Sequence, residues 1–301
     1  TAIKEQLHAQ KAGRITSVDF HWYLNTYHGA DYFRRWHGLR KNSGTLLCHK
    51  ASHHFDLLNW WIDSEPEEVH AYGMLEHYGR NNSFRGNNCR DCIHTAECKF
   101  HWDMTKEQMM MDLYAANEKH DGYIRDNCLW RNEIDIYDKM AVQIRYANGV
   151  SVSYSLTTYS PYEGWRVAFN GLNGRIDSWL DIPWETQENI AQSELYKQGM
   201  GLENAAGAEP EYDEIMVMNN FENYEQIKVP RIIAGHGGGD EKQQENMFRS
   251  TDAPDPLRHQ SGSRDGAMSA LIGIAARKSN EEKRIVRIDE LTDLKPMAVR
   301  P

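Results

Sequence analysis

The sequence predicts an α+β fold, and three observations predict it. Residues 134–146 and 150–159 alternate apolar and polar side chains on either side of Asn148-Gly149, a dipeptide suited to a tight antiparallel hairpin. Shorter alternating runs at 15–24, 69–78, 167–171, 174–177 and 284–288 supply further strands. Apolar residues at helical spacing mark 53–62 (Phe55, Leu58, Ile62) and 263–278 (Met268, Leu271, Ile272, Ala275).

Taken in order, residues 1–13 read as a short helix through Ile3, Leu7 and Gln10, ended by Gly13. The strand at 15–24 puts Ile15, Ser17, Asp19, His21 and Tyr23 on one side. Next, 27–37 sets Arg34, Arg35, His28 and His37 among aromatic residues, with a bend expected at Gly29. This segment reads as a cleft wall whose arginines and histidines meet hydroxyls or a carboxylate; an exposed loop of stacked Arg–Trp pairs is the plain alternative.

Residues 43–61 hold the densest chemistry. After Ser43-Gly44 come His49, Lys50, His53, His54 and Asp56, then a helix-like run. With Ser52 as cap and a helix from His53, His53, Asp56 and Trp60 share one face while Phe55, Leu58 and Ile62 are buried. An imidazole and a carboxylate on one anchored face suit proton transfer.

Beyond the strand at 69–78, a polar loop leads to Cys89, Cys92, Cys98 and later Cys128. A Cys-x-x-Cys pair with two further cysteines points to a structural zinc held by four thiolates, with His94 or His101 as substitutes. One or two disulfides are the rival reading, and Cys48 reads as core. A helix is expected at 105–120. Tyr159, Glu163 and Arg166 sit where a turn leaves the hairpin, and a Glu163–Arg166 surface pair is their plain reading. Residues 186–223 read as an elaborate loop, and 227–233 as a strand whose Pro230 suits an edge. His236-Gly-Gly-Gly-Asp240 lets backbone approach a ligand, with His236 and Asp240 as candidate contacts.

Composition excludes some classes. A formal charge of −10 argues against non-specific nucleic-acid binding. No apolar run approaches membrane-span length, and a mean hydropathy of −0.75 fits a soluble chain. No targeting segment is visible from Thr1 onward, so the compartment stays open.

The stretch at 43–61 resembles the second signature of the glucose–fructose oxidoreductase/inositol dehydrogenase/MocA (Gfo/Idh/MocA) family, Gly-Gly-x-x-x-Asp-x-Gly-x-His-x-x-Asp. Gly44, His53 and Asp56 match; His49 replaces the usual acid and Ala51 the usual glycine. The helix at 263–278 resembles the family's closing helix. The resemblance implies a large, open, mainly antiparallel sheet with helices packed on one face, like the C-terminal domain of glyceraldehyde-3-phosphate dehydrogenase, and one face of that sheet as the floor of the substrate site, with Tyr159, Glu163 and Arg166 as candidate contacts. It implies a single C-terminal domain over 1–301, with a Cys-rich insertion at about 79–130 and a loop-rich one at about 186–226. It further implies a nicotinamide (NAD or NADP) oxidoreductase acting on a carbohydrate or polyol hydroxyl, and a homo-oligomer formed through the sheet face. His53 would move the hydroxyl proton, His49 or Lys50 would assist, and Asp56 would orient the site. NAD-dependent glycoside cleavage and a non-enzymatic sugar-binding scaffold are the alternatives. No Gly-x-Gly-x-x-Gly follows a strand anywhere. The sequence therefore reads as the substrate half of such an enzyme, its Rossmann half absent and the chain silent alone.

Overall fold

A computed structural model describes residues 1–181, 212–232, 235–249 and 254–301. Among the described residues, nine strands form one sheet in the order β8-β7-β6-β5-β1-β4-β3-β2-β9. They are β1 (Ile15–Asn25), β2 (Pro66–Met74), β3 (Lys139–Tyr146), β4 (Ser151–Ser160), β5 (Gly164–Gly171), β6 (Gly174–Leu180), β7 (Tyr212–Asn219), β8 (Glu225–Pro230) and β9 (Val286–Arg287). Every pairing is antiparallel except β1 with β4. The expected α+β architecture is therefore the observed one.

Alternation assigns the two faces. Val18, Phe20, Tyr154, Leu156, Val167, Phe169, Val142 and Ile144 are buried on the inner face. Ser17, Asp19, His21, Ser153 and Ser155 take the alternate, outer positions and are only half-buried. Helices α1 (Ala2–His8), α2 (Thr26–Arg34), α3 (Arg40–Ser43), α4 (Leu46–His49) and α5 (Ala51–Ile62) come early in the chain; α9 (Ser263–Glu282) comes late. Phe55 and Leu58 of α5 are fully buried, and Phe55 packs edge-on against Tyr154. Each such side chain contributes roughly 1.5–3 kcal/mol of burial.

Two glycines set how closely these layers approach. At Gly29, mid-α2, a Cβ would lie 1.6 Å from the Thr158 carbonyl oxygen. Gly29 thus lets α2 rest on β4 instead of bending the chain as expected. At Gly273 of α9 a Cβ would lie 2.3 Å from the Leu47 carbonyl oxygen, so only glycine lets α9 rest on α4.

Several element boundaries differ from expectation. The helix expected at 105–120 is broken into 3-10 turns (Met104–Lys106, Ala115–Asn117) and short helices α6 (Gln108–Leu113) and α7 (Glu118–Asp121). Met109 and Leu113 are more than half exposed, so the apolar period finds no surface to bury against. Asn117 Nδ2 also donates to the Asp112 and Leu113 carbonyls, ending α6. Strand β3 starts only at Lys139, because the Asp138 carboxylate accepts the backbone N–H groups of Glu76, His77 and Tyr78. Helix α5 begins at Ala51, and Ser52 Oγ donates back to the His49 carbonyl instead of capping. Strand β7 lies within the stretch expected to be a loop, its Ile215 and Val217 buried. The rest of that stretch, up to residue 211, lies outside the described residues. Strand β8, with Pro230 at its end, is a sheet edge among the described residues, as expected.

Candidate active site

The end of β1, α2, and the α4–α5 turn bring titratable side chains to one corner of the sheet. Asn25 closes β1, and its Oδ1 caps α2 by accepting the N–H groups of Tyr27 and His28. Glu163, just ahead of β5, ties this corner together. Its Oε2 accepts the Asn25 N–H at 2.7 Å, and its Oε1 meets His28 Nδ1 at 2.9 Å. The Glu163 carboxylate therefore serves His28, not Arg166 as the surface-pair reading expected.

The entry to α4, just ahead of the α4–α5 turn, is held under strain. Thr45 adopts φ +88° and ψ 167°, a conformation that costs a non-glycine residue on the order of 1–3 kcal/mol. Its carbonyl accepts from the Cys48 and His49 N–H groups and so starts α4. Lys50 follows, its Nζ 5.7 Å from the centre of the Trp22 ring. Burial pulls the Lys50 pKa down while nearby Glu163 opposes that shift.

His49 and His37 face each other with Nε2–Nε2 at 3.1 Å. His37 is 3 % exposed and stacks on Trp36 with ring centres 3.7 Å apart. Burial first, and then the neighbouring His49 and Arg35, lower the His37 pKa to about 4. His49 is lowered by burial, then by His53, Arg35 and Lys50. Arg35 sits beside Asp31, which also binds Arg125 of the Cys-rich loop at 2.7 Å.

His53 is exposed on the first turn of α5. Asp56 lies one turn later and is half-buried; burial raises its pKa, with Arg300 opposing and Asp265 adding to the rise. The next histidine is different in kind. His54 is 1 % exposed, stacks on Trp22 at 3.9 Å, and its Nδ1 meets Tyr154 Oη at 2.7 Å. Burial holds it neutral. His53, His49, Lys50, His37 and Glu163 thus share a corner with His28, Trp22 and Arg35.

Other expected residues lie elsewhere. Arg34 is buried with its guanidinium turned into the Cys-rich loop, donating to Cys89 Sγ at 2.9 Å and to the Phe100 carbonyl. Tyr159 stacks on His77 in the loop after β2. Arg166 is exposed, paired in register with outer-face His21, and lies over the Trp179 ring. Asp240 is exposed in the first turn of α8 (Gly239–Phe248), and the His236 side chain lies outside the described residues.

The four-thiolate zinc expectation is corrected. Cys89, Cys92, Cys98 and Cys128 do line one small void, but no group of three or more His, Cys, Asp or Glu among the described residues is arranged to hold a metal ion. The Arg34 guanidinium occupies Cys89, which disfavours a second cation there. Backbone N–H groups of Gly86 and Trp130 point at Cys128 Sγ, and that of His94 at Cys92 Sγ. His94 itself is engaged by Glu97. All five cysteines are free thiols, so the disulfide rival is not met either.

Residues 4–288 match the family described as "Oxidoreductase family, C-terminal alpha/beta domain" (GFO_IDH_MocA_C). The chain belongs to this family. It is 35% identical over 305 residues to the Bacillus subtilis (strain 168) protein named "Putative oxidoreductase YteT", a match covering 96% of this chain and 66% of that protein. Levoglucosan dehydrogenase in its apo form superposes with TM-score 0.58 at 14% identity, over 95% of this chain and 62% of that one. The same enzyme in complex with NADH and levoglucosan gives 0.54 at 15% identity, over 95% and 62%. At such identities the structures speak for the fold. The chain spans slightly less than two thirds of the length of these relatives.

Sequence reasoning missed Trp22 and Arg125, and it named His28 and Glu163 without pairing them. Trp22 reads as one more strand aromatic, yet it stacks on His54 and lies close to the Lys50 ammonium. The His28–Glu163 pair joins residues far apart in sequence. Arg125 sits in a loop without periodicity, and its proximity to Asp31 leaves no local signal.

Proposed function

We propose that these residues form the substrate-side half of a nicotinamide-dependent oxidoreductase acting on a carbohydrate or polyol hydroxyl. The observation that carries the reading is the corner itself: an exposed His53 on an anchored helix start, backed by Lys50, His49 and His37, in a chain of an oxidoreductase family. The levoglucosan and NADH of the solved relative favour a sugar and a nicotinamide.

In this reading His53 takes the proton of the hydroxyl that becomes a carbonyl, and a bound nicotinamide supplies the hydride acceptor. Lys50, with its charge disfavoured by burial, is suited to hydrogen-bond the same oxygen. Arg35 and the His28–Glu163 pair line the approach and bind remaining hydroxyls. Asp56 orients the first turn of α5.

These 301 residues carry no dinucleotide fingerprint after a strand. We propose that the cofactor is held by residues outside them, that the chain alone is inactive, and that 1–301 forms one domain. A second copy would cover the polar outer face of the sheet.

The test is oxidation of a panel of sugars and polyols with NAD and NADP, using the full-length protein. His53→Asn is expected to lower kcat by about 10²–10⁴ with unchanged thermal unfolding. Turnover unaffected by the substitution, or tight NAD binding by residues 1–301 alone in a calorimetric titration, contradicts the assignment.

A further inference from the structure

His37 lies outside the signature, on the single 3-10 turn Trp36–Gly38. Its Nε2 is in hydrogen-bond reach of His49 Nε2, while Nδ1 of each ring is buried without a partner among the described residues. Two neutral imidazoles in this arrangement share one hydrogen: one Nε2–H donates, and the other Nε2 offers its lone pair.

We propose that His37 is a positioning residue that holds His49 in the Nε2–H tautomer, leaving the His49 Nδ1 lone pair as the proton acceptor of the pair. The proposal rests on the reading of His49 as an assistant to His53. His37 is suited to the fixed role. It is the more buried of the two rings, Trp36 stacks on it while meeting His49 only edge-on, and Ser43 Oγ donates to its carbonyl at 2.9 Å. His49 is suited to the reactive one, because it adjoins both Lys50 and His53.

Charge argues the same way. The groups facing the pair are Asp31 and Arg35 at the end of α2, Arg125 from the Cys-rich loop, and His53 and Lys50 from the α4–α5 turn. Cations outnumber the one carboxylate, and His37 is buried while His49 is half-buried. A second proton on it is therefore disfavoured, so the pair rests neutral and accepts one proton at a time. When His49 is protonated at Nδ1, its Nε2–H bond to His37 becomes charge-assisted and shortens. No proton needs to leave His37 for this to occur.

Two-bond ¹⁵N–¹H correlation spectra of the chain report each ring's tautomer without any turnover. His49 is expected as Nε2–H and His37 as Nδ1–H in the native chain. His37→Phe should convert His49 to a tautomer mixture, and His37→Gln, whose amide oxygen can accept the same hydrogen, should restore it. The reciprocal His49→Phe variant should release the His37 tautomer. An unchanged His49 tautomer in His37→Phe, or a native His49 in the Nδ1–H form, overturns the proposal. In the full-length enzyme, His37→Phe should move the acidic limb of the kcat/KM profile by about one pH unit, with reversal in His37→Gln. A fall in kcat with no movement of that limb means a merely structural role and also overturns it. Absence of dehydrogenase turnover with the tautomer changes intact would refute the assigned activity but not the pairing.

Discussion

The α4–α5 turn and the Cys-rich loop carry the two densest sets of reactive side chains in the chain, and they come to opposite ends. At the turn, rigid packing surrounds the histidines: Gly273 seats α9 on α4, strained Thr45 starts α4, and Trp22 backs Lys50 and His54. In the loop, the thiols meet their own backbone N–H groups and Arg34. Crowding of reactive residues in sequence therefore says little until the scaffold shows which groups are already engaged. The loop still matters to the turn, because Arg125 reaches back to Asp31 beside Arg35.

The contrast can be broken at the root of the loop. Asp138 is fully buried and accepts three consecutive backbone N–H groups where the chain enters the insertion. Asp138→Ala strands those donors and is expected to destabilise the chain by about 3 kcal/mol or more in urea unfolding. A loss below about 1 kcal/mol would mean that the loop does not depend on this anchor.

On the turn side, Gly273→Ala places a methyl against the Leu47 carbonyl. Separation of α9 from α4 should cost about 1–3 kcal/mol and disturb His49 before His54 in an NMR spectrum. Equal disturbance of both would show that the turn is not separately braced.

Acid sharpens the comparison further. His37, His49 and His54 all have pKa values lowered by burial, that of His37 to about 4. Between about pH 6.5 and 4 the unfolded chain then binds more protons than the folded one. The stability these histidines confer is complete above about pH 6.5 and drains away as pH falls toward 4. His37→Phe should flatten that part of the curve; an unchanged slope contradicts the burial argument.

Much of the fold was legible because it is written locally. Asn148-Gly149, the alternation through Val152, Tyr154 and Leu156, and the apolar face of α9 each specify an element from a few neighbouring residues. His53, His49 and Lys50 were legible as a group for the same reason. Glu163 was legible as a site residue but its pairing with Asn25 and His28 was not, since they arrive through the sheet register, nor was the inward turn of Arg34. The helix expected at 105–120 had the right period but no surface to press against.

The position of β1 has a consequence for how the chain is born. It is the first strand in the sequence, and its two ladder partners are β4 and β5, which are made only after Asn148-Gly149. Strand β1 must therefore wait, its edges unfilled, until both partners have been made, which makes its docking a late and non-local step of assembly.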